Sequence, residues 1–485
     1  MLFNSFQFFV FFPIVTLIYF LLPHRFRWVW LLVASSYFYM AFIPAYIFVL
    51  FFLILVDYAA GILIERAEGS KRRLLLAISL LSNLSLLGFF KYFNFLNANL
   101  TSLAGALGSV HSLQPLNFLL PIGLSFHTFQ SMSYTIEVYR GRQKAEKHLG
   151  ILALYVMFYP QLVAGPIERS YNLIQQFREK HAFDYARVTD GLKLMAWGFF
   201  KKLVIADRLA VMVNQVYAHP VDYSGPDFVL ATLAFAYQIY CDFSGYSDIA
   251  RGSAQVMGFR LMLNFDRVYH APSISDFWRR WHISLSTWFR DYLYVPLGGN
   301  RVTQSRQRTN IFITFLVSGL WHGANWTFVV WGGLHGAYLL IENWLRAQTR
   351  RQPRLDALAK NRAFYLLRVV TVFALVSFAW IFFRANSISD ALYIVSHLLV
   401  GWDNPAIILS RARIESMGIT MTELSIALAA IGALETVQLL QNRGSVRDSV
   451  RRKPALIRWA LYYALAMTIL LFGVYAEREF IYFQF

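Results

Sequence analysis

PAYIFVLFFLILVDYAAGIL, residues Pro44–Leu63, is apolar throughout except for one charged side chain, Asp57. A helix crosses the hydrocarbon core of a bilayer with about 20 mostly apolar residues, and this run has that length and character. The same signal recurs on both sides of it. Phe6–Leu22, Leu74–Phe90, Leu119–Val138, Leu149–Ala164, Phe228–Ala250, Arg368–Phe383, Met421–Leu440 and Ile457–Tyr475 read as spans. Ile311–Leu320 reads as another that runs on towards Leu340, and Trp28–Phe42, Leu192–Ala210 and Ala391–Trp402 are shorter candidates. The expected fold class is an all-α polytopic membrane protein. It has about ten to twelve transmembrane helices, with re-entrant or interfacial helices around them.

Composition agrees. The 485 residues are 57% hydrophobic and 15% charged, against about 25% charged in an ordinary soluble domain. A soluble chain so poor in charge would lack the polar surface to stay in solution, whereas lipid solvates apolar side chains. Length alone would suggest several soluble domains, but the apolar runs extend along the whole chain. It therefore reads as a single membrane domain, 1–485, without internal repeats. Met1–Leu22 has no basic n-region and no small-residue cleavage site, so it reads as a retained span rather than a signal peptide. The one cysteine, Cys241, offers no intrachain disulfide and no cysteine metal site, and reads as a small packed residue.

The net charge of +18 is explained by cytoplasmic loops, which collect Lys and Arg. No nucleic-acid-binding signature accompanies it. Arg25 and Arg27 follow the first span, Arg66 and Lys71–Arg73 the third, and Arg140, Arg142, Lys144 and Lys147 cluster later. Arg443, Arg447, Arg451, Arg452 and Lys453 form another basic loop. The alternation puts both the N-terminus and the C-terminus on the extracytoplasmic side. In the middle it breaks down. Phe265–Arg308 is too polar to cross lipid and too aromatic for a plain loop. Irregular backbone at membrane depth is tolerated only where protein or water surrounds it, so this region is expected to line an internal cavity.

Three polar clusters carry candidate chemistry. The first, within Asn264–Tyr294, includes FWRRWHISLSTWFRDYLY and holds His282 and Asp291 among aromatics and arginines. An amphipathic interfacial helix with snorkelling arginines would account for its cations, but not for those two residues. The second, SGLWHGANW, residues 318–326, sets His322 in an otherwise apolar segment. Intramembrane ionisable residues are functional candidates by default, with a hydrogen-bonded packing histidine as the alternative. Gly319 and Gly323 permit close backbone approach. His335 reads as packing. The third cluster, YCDFSGYSD, residues 240–248, places Asp242 and Asp248 in a span, where structural ion pairing is the main reading and the arginines of the first cluster are available partners. No His/carboxylate spacing supports a metal site.

At these clusters the sequence resembles the membrane-bound O-acyltransferase superfamily, in the branch of alginate O-acetyltransferase and the D-alanyl exporter of teichoic-acid synthesis. The matching strings are DFSGYSD (242–248), FWRRWHISLSTWFRDYLYVPLGGNR (277–301) and GLWHGANWT (319–327). LPIGLSFHTFQSMSY (120–134), FYPQLVAGPIER (158–169) and WIFFRAN (380–386) are also similar. Cys241 and Val268 depart from residues common in the family, Phe and Pro.

The resemblance implies helices ringed around a core pierced by a central tunnel. Acetyl-CoA would be the donor, entering from the cytoplasm. His322 maps onto the family's invariant histidine and His282 onto a second important one. Trp278, Arg280, Trp281, Arg290, Asp291, Trp321 and Asn325 would contact substrate or line the tunnel. Histidine suits a base that takes a hydroxyl proton, because its pKa lies near neutrality. No serine or cysteine nucleophile motif stands out.

FIYFQF, residues 480–485, closes the tail motif 477–485. It resembles the terminal motif of the small peptide that accompanies the D-alanyl exporter. That makes Tyr482 an acyl carrier feeding a separate SGNH-type transferase; the other reading is an aromatic interfacial anchor. Partners implied are that transferase and the polysaccharide synthesis and export machinery of the bacterial inner membrane. A transporter or flippase, and a non-catalytic scaffold of such machinery, are the alternatives from other classes. A transporter is disfavoured by the lack of repeats.

Overall fold

The computed structural model describes residues 1–109, 113–163, 165–349, 361–403, 410–476 and 480–483. Its regular elements are all helical among the described residues. The chain forms two compact units, Met1–Met195 with Ala250–Met262, and Ala196–Ile249 with Leu263–Phe485.

Among the described residues, five helices are long and apolar enough to cross a membrane: Pro44–Arg66, Gly69–Ala106, Arg362–Arg384, Met421–Gln441 and Ala455–Phe472. All five fall on expected spans. Ala455–Phe472 has no buried residue, as suits a helix that lipid surrounds. The other expected spans are shorter, more polar or broken. Leu149–Ala164 is helical only over the nine residues Leu149–Met157, about 14 Å of rise, too short to cross. Its last residue, Ala164, lies outside the described residues. The helix expected over Leu119–Val138 begins only at Leu124, after Gly123 in the left-handed region (φ 74°). A Cβ at Gly123 would lie 2.9 Å from the Leu162 carbonyl. That helix is buried along its length except at Ile136 and Tyr139, so it is an interior element. The run Ile311–Leu340 is two helices, Gln304–His322 and Trp326–Thr349, parted at Gly323–Asn325.

In the first unit, the polar side chains of three helices meet. Asp57 accepts from Ser79 Oγ (2.6 Å) and from Asn83 Nδ2 (2.9 Å), and Ser79 Oγ also lies 2.9 Å from Thr135 Oγ1. A carboxylate this deeply buried is tolerable only with donors around it. The one charge in the run that decides the fold is therefore a packing device between helices Ile47–Arg66, Gly69–Leu87 and Leu124–Tyr139.

In the second unit, which begins at Ala196, the end of helix Tyr185–Phe199 passes into a wide π-turn, Phe200–Ala206, and then helix Asp207–Ala218. Gly198 and Gly245 mark a point of close backbone approach. A Cβ on Gly198 would sit 2.6 Å from Gly245 O, and one on Gly245 2.8 Å from Gly198 O. That contact brings the lysines of the π-turn beside helix Gly225–Met257. π-turns of this kind cluster at functional sites.

Candidate active site

His282 joins two short helices, Ile274–Arg280 and Ile283–Phe289, and is itself in the left-handed region (φ 42°, ψ 55°). For a residue with a Cβ this conformation costs about 1–2 kcal/mol, so the surroundings must impose it. Asn264 does so. Its carbonyl accepts from Ile283 N (2.9 Å), and its side-chain oxygen accepts from Ser284 N (3.2 Å) and Ser284 Oγ (2.9 Å). Its amide donates to Ser247 Oγ at 3.3 Å. Ser273 caps the first short helix through Asp276 N (3.1 Å), and Glu342 holds Ser275 Oγ at 2.7 Å. The loop carrying His282 is thus fixed at several points, and its ring is fully buried.

His322 ends helix Gln304–His322. Gly319, one turn earlier, lies against Phe328 of the next helix, where an added Cβ would be 2.2 Å from the carbonyl oxygen. Gly332 faces back in the same way, 2.3 Å from Phe315 O. The close backbone approach expected at Gly319 is therefore present and sets where His322 sits, whereas Gly323 lies against the Phe328 ring rather than against backbone. The imidazole has Trp321 (5.0 Å between ring centroids), Trp331 (5.1 Å) and Phe383 (5.3 Å) around it.

The C-terminal segment completes the cluster. The Tyr482 ring lies 5.5 Å from His322, 6.4 Å from His282 and 4.7 Å from Phe243. The two histidines are 6.5 Å apart. Two imidazoles and a phenol thus share one aromatic-walled space, with both histidine rings buried and Tyr482 half-buried. In such a space an imidazole can take a phenolic proton, and hydrogen-bond donors act on developing charge more strongly than in water. Residues 477–479, 484 and 485 of the tail motif lie outside the described residues.

The other expected site residues divide. Trp321 packs on both histidines, at 6.3 Å from His282. Trp281 supports from behind, against Phe265 (5.1 Å) and Trp380 (5.0 Å). Trp278 meets His335 (4.9 Å) and Trp331 (5.7 Å), and Trp331 in turn packs on His322. His335 is fully buried among Phe277, Trp278 and Trp331, the packing role expected. Arg280 pairs with Asp276 at 2.7 Å and Arg290 with its neighbour Asp291 at 2.8 Å. Asn325 donates to Asn386 O (3.1 Å) and accepts from Thr327 N (3.1 Å), tying down the turn between two helices.

The ion pairing expected of Asp242 and Asp248 is present, but its partners are lysines rather than the arginines of the first cluster. Asp248 pairs with Lys201 (2.7 Å), and Asp242 with Lys202 (2.7 Å), which also reaches Asp207 (2.9 Å). Arg280 and Arg290 of the first cluster are taken up locally, whereas the π-turn delivers two lysines to helix Gly225–Met257. Two lysines interrupting an apolar stretch were the available signal. Phe243, Trp331, Phe383 and Asn264 gave none, since aromatic and amide residues carry no sign of which histidine they will wall or hold.

Residues 76–383 match the model of the membrane-bound O-acyltransferase family. The probable alginate O-acetylase of Azotobacter vinelandii is 39% identical over 437 residues, 89% of this chain and 84% of that protein. The peptidoglycan O-acetyltransferase of Helicobacter pylori is 33% identical over 436 residues, 82% of this chain and 80% of that protein. A teichoic acid D-alanyltransferase of Streptococcus thermophilus is 30% identical over 287 residues, 55% of this chain and 68% of that protein. With matches of that breadth, on a chain whose described elements are all helical and include several of membrane length, the protein belongs to the membrane-bound O-acyltransferase family and is a multi-pass membrane O-acyltransferase.

Proposed function

We propose that this protein transfers acetyl groups from cytoplasmic acetyl-CoA towards an extracellular polysaccharide, with Tyr482 as an intermediate carrier. The observation that carries the reading is the convergence of His282, His322 and Tyr482 within 6.5 Å of one another, ring to ring. His322 takes the phenolic proton as Tyr482 Oη attacks the thioester carbonyl. The tetrahedral oxyanion collapses, the C–S bond breaks, and the leaving thiolate recovers the proton from the imidazolium. His282 orients the phenol or stabilises the oxyanion. A phenol, with a pKa near 10, leaves more readily than a sugar alcohol, so the tyrosyl ester keeps its transfer potential.

An SGNH-type transferase on the outer face then takes the acetyl to a polymer hydroxyl. The names of the relatives, alginate O-acetylase and peptidoglycan O-acetyltransferase, favour a polysaccharide acceptor and the bacterial inner membrane. In this scheme the donor comes through a tunnel from the cytoplasm, and both termini are extracytoplasmic.

The test expresses wild type, His322→Ala and Tyr482→Phe in a host lacking the native gene and measures ester-linked acetate on the purified polymer. Loss in both variants at normal membrane levels supports base and relay. Loss only in His322→Ala keeps the base and removes the relay. Full acetylation in His322→Ala refutes the catalytic assignment and brings the scaffold or transporter readings forward.

A further inference from the structure

Beyond helix Ala455–Phe472, the described residues of the C-terminal segment meet the aromatic cluster through the 3-10 turn Ile481–Phe483. Two anchors tie it to one place. Val474 N donates to Leu203 O at 3.0 Å, and Ile481 N donates to Asp242 Oδ2 at 2.9 Å. Leu203 belongs to the π-turn Phe200–Ala206. Its neighbour Lys202 holds the other oxygen of Asp242 at 2.7 Å. Lys202 is held in turn by Asp207 at 2.9 Å, and all three side chains are buried. Burying such charges is expensive, and apolar residues of like volume often give a more stable protein. What these charges supply and an apolar core could not is a strong acceptor for the Ile481 N–H.

We infer that Asp242, held by Lys202, is the positioning residue that seats the C-terminal segment so that Tyr482 meets the histidines. The catalytic consequence rests on the relay proposed above; the seating itself does not. Asp242 touches the backbone one residue before Tyr482, and it lies one residue before Phe243, whose ring packs on Tyr482. Phe480 adds a second grip, with its ring 5.4 Å from Phe243 and 4.9 Å from Tyr246. Among the described residues, the segment is thus gripped by a backbone hydrogen bond at Val474, a hydrogen bond to a charged acceptor at Ile481 and ring contacts at Phe480 and Tyr482. That arrangement can open without unfolding the helices around it.

Seating is read by thiol labelling of the full-length protein carrying Ile481→Cys, with labelled peptides resolved by mass spectrometry. Ile481 is 1% exposed, so the introduced thiol is protected while the segment is seated. The native Cys241, fully buried, labels only if the helices themselves open. Adding Asp242→Leu is expected to speed labelling of the introduced thiol at least about tenfold, the effect of losing one hydrogen bond to a charged acceptor, with Cys241 still protected. Asp242→Asn, which keeps an acceptor oxygen, labels closer to the parent rate.

The swap Asp242→Lys with Lys202→Asp restores an ion pair but faces the Ile481→Cys backbone N–H with a donor, so the segment stays open. If the swap restores protection, or if the introduced thiol stays protected in Asp242→Leu, the pair is structural only and the inference fails. Should Asp242→Leu expose Cys241 as well, the swap decides between the two. An open segment in Asp242→Leu with unchanged polymer acetylation would refute the relay and leave the seat standing.

Discussion

Gly319→Ala tests whether the position of His322 depends on the backbone contact one turn before it. The added Cβ would sit 2.2 Å from the Phe328 carbonyl oxygen, where ordinary contact begins at 3.4 Å. One helix must therefore move by about 1.2 Å, and the obstacle is backbone of a buried residue rather than a side chain that can turn aside. Overpacking of this kind costs about 1–3 kcal/mol. A misplacement of about 1 Å at a catalytic group can reduce rate by about 100-fold. Gly432→Ala is the matched control. It lies inside helix Met421–Gln441 with nothing within 4 Å of its would-be Cβ, and alanine there gains about 0.5–1 kcal/mol of helix stability. Thermal unfolding in detergent and transfer rate per folded molecule are measured for both. The expected result is a lower unfolding temperature and a rate reduced at least about tenfold for Gly319→Ala, with Gly432→Ala at or above wild type. If the two variants are indistinguishable, the helices have slack at Gly319 and the close approach does not set the histidine.

Asn264→Ala removes the acceptor for Ser284 N and Oγ that imposes the left-handed turn at His282. It should lower stability by about 1–3 kcal/mol and reduce turnover with little change in KM; unchanged turnover would show that something else holds the loop. Arg413→Met leaves Asp227, 2% exposed, without the guanidinium that meets both its oxygens. The arginine side chain is 31% exposed and Ser224 N still donates to Asp227, so a loss of about 1–3 kcal/mol is expected. Arg411→Ala, whose side chain is 81% exposed in its pair with Glu415, should stay within about 0.5 kcal/mol. Equal effects in the two arginine variants would mean that burial does not govern these pairs.

Fold class was legible because lipid imposes it locally. Any run of about 20 apolar residues must satisfy its backbone within itself, and a helix does that without distant partners. Pro44–Leu63 and Met421–Leu440 could therefore be read residue by residue. Leu149–Ala164 could not, since an equally apolar run also suits an interior half-helix, and only packing distinguishes a lipid neighbour from a protein one. The break at Gly323–Asn325 was masked for a similar reason: two apolar helices in a hairpin have the same composition as one long helix. The histidines stood out because ionisable groups in apolar surroundings are conspicuous wherever they point. Asp242 and Asp248 stood out too, but their partners were misread, since several cations were within reach of the argument.

From the sequence alone came the membrane class, the two histidines, the candidate tyrosine and the motif strings that carry the family resemblance. All are properties of single residues or short runs. Only the tertiary structure decided that Phe243, His282, His322 and Tyr482 share one space, and that Lys202 rather than an arginine holds Asp242 beside Ile481. Those residues lie far apart along the chain. Periodicity reports which face of a helix is apolar; which helix lies against that face follows from the packing of the whole unit.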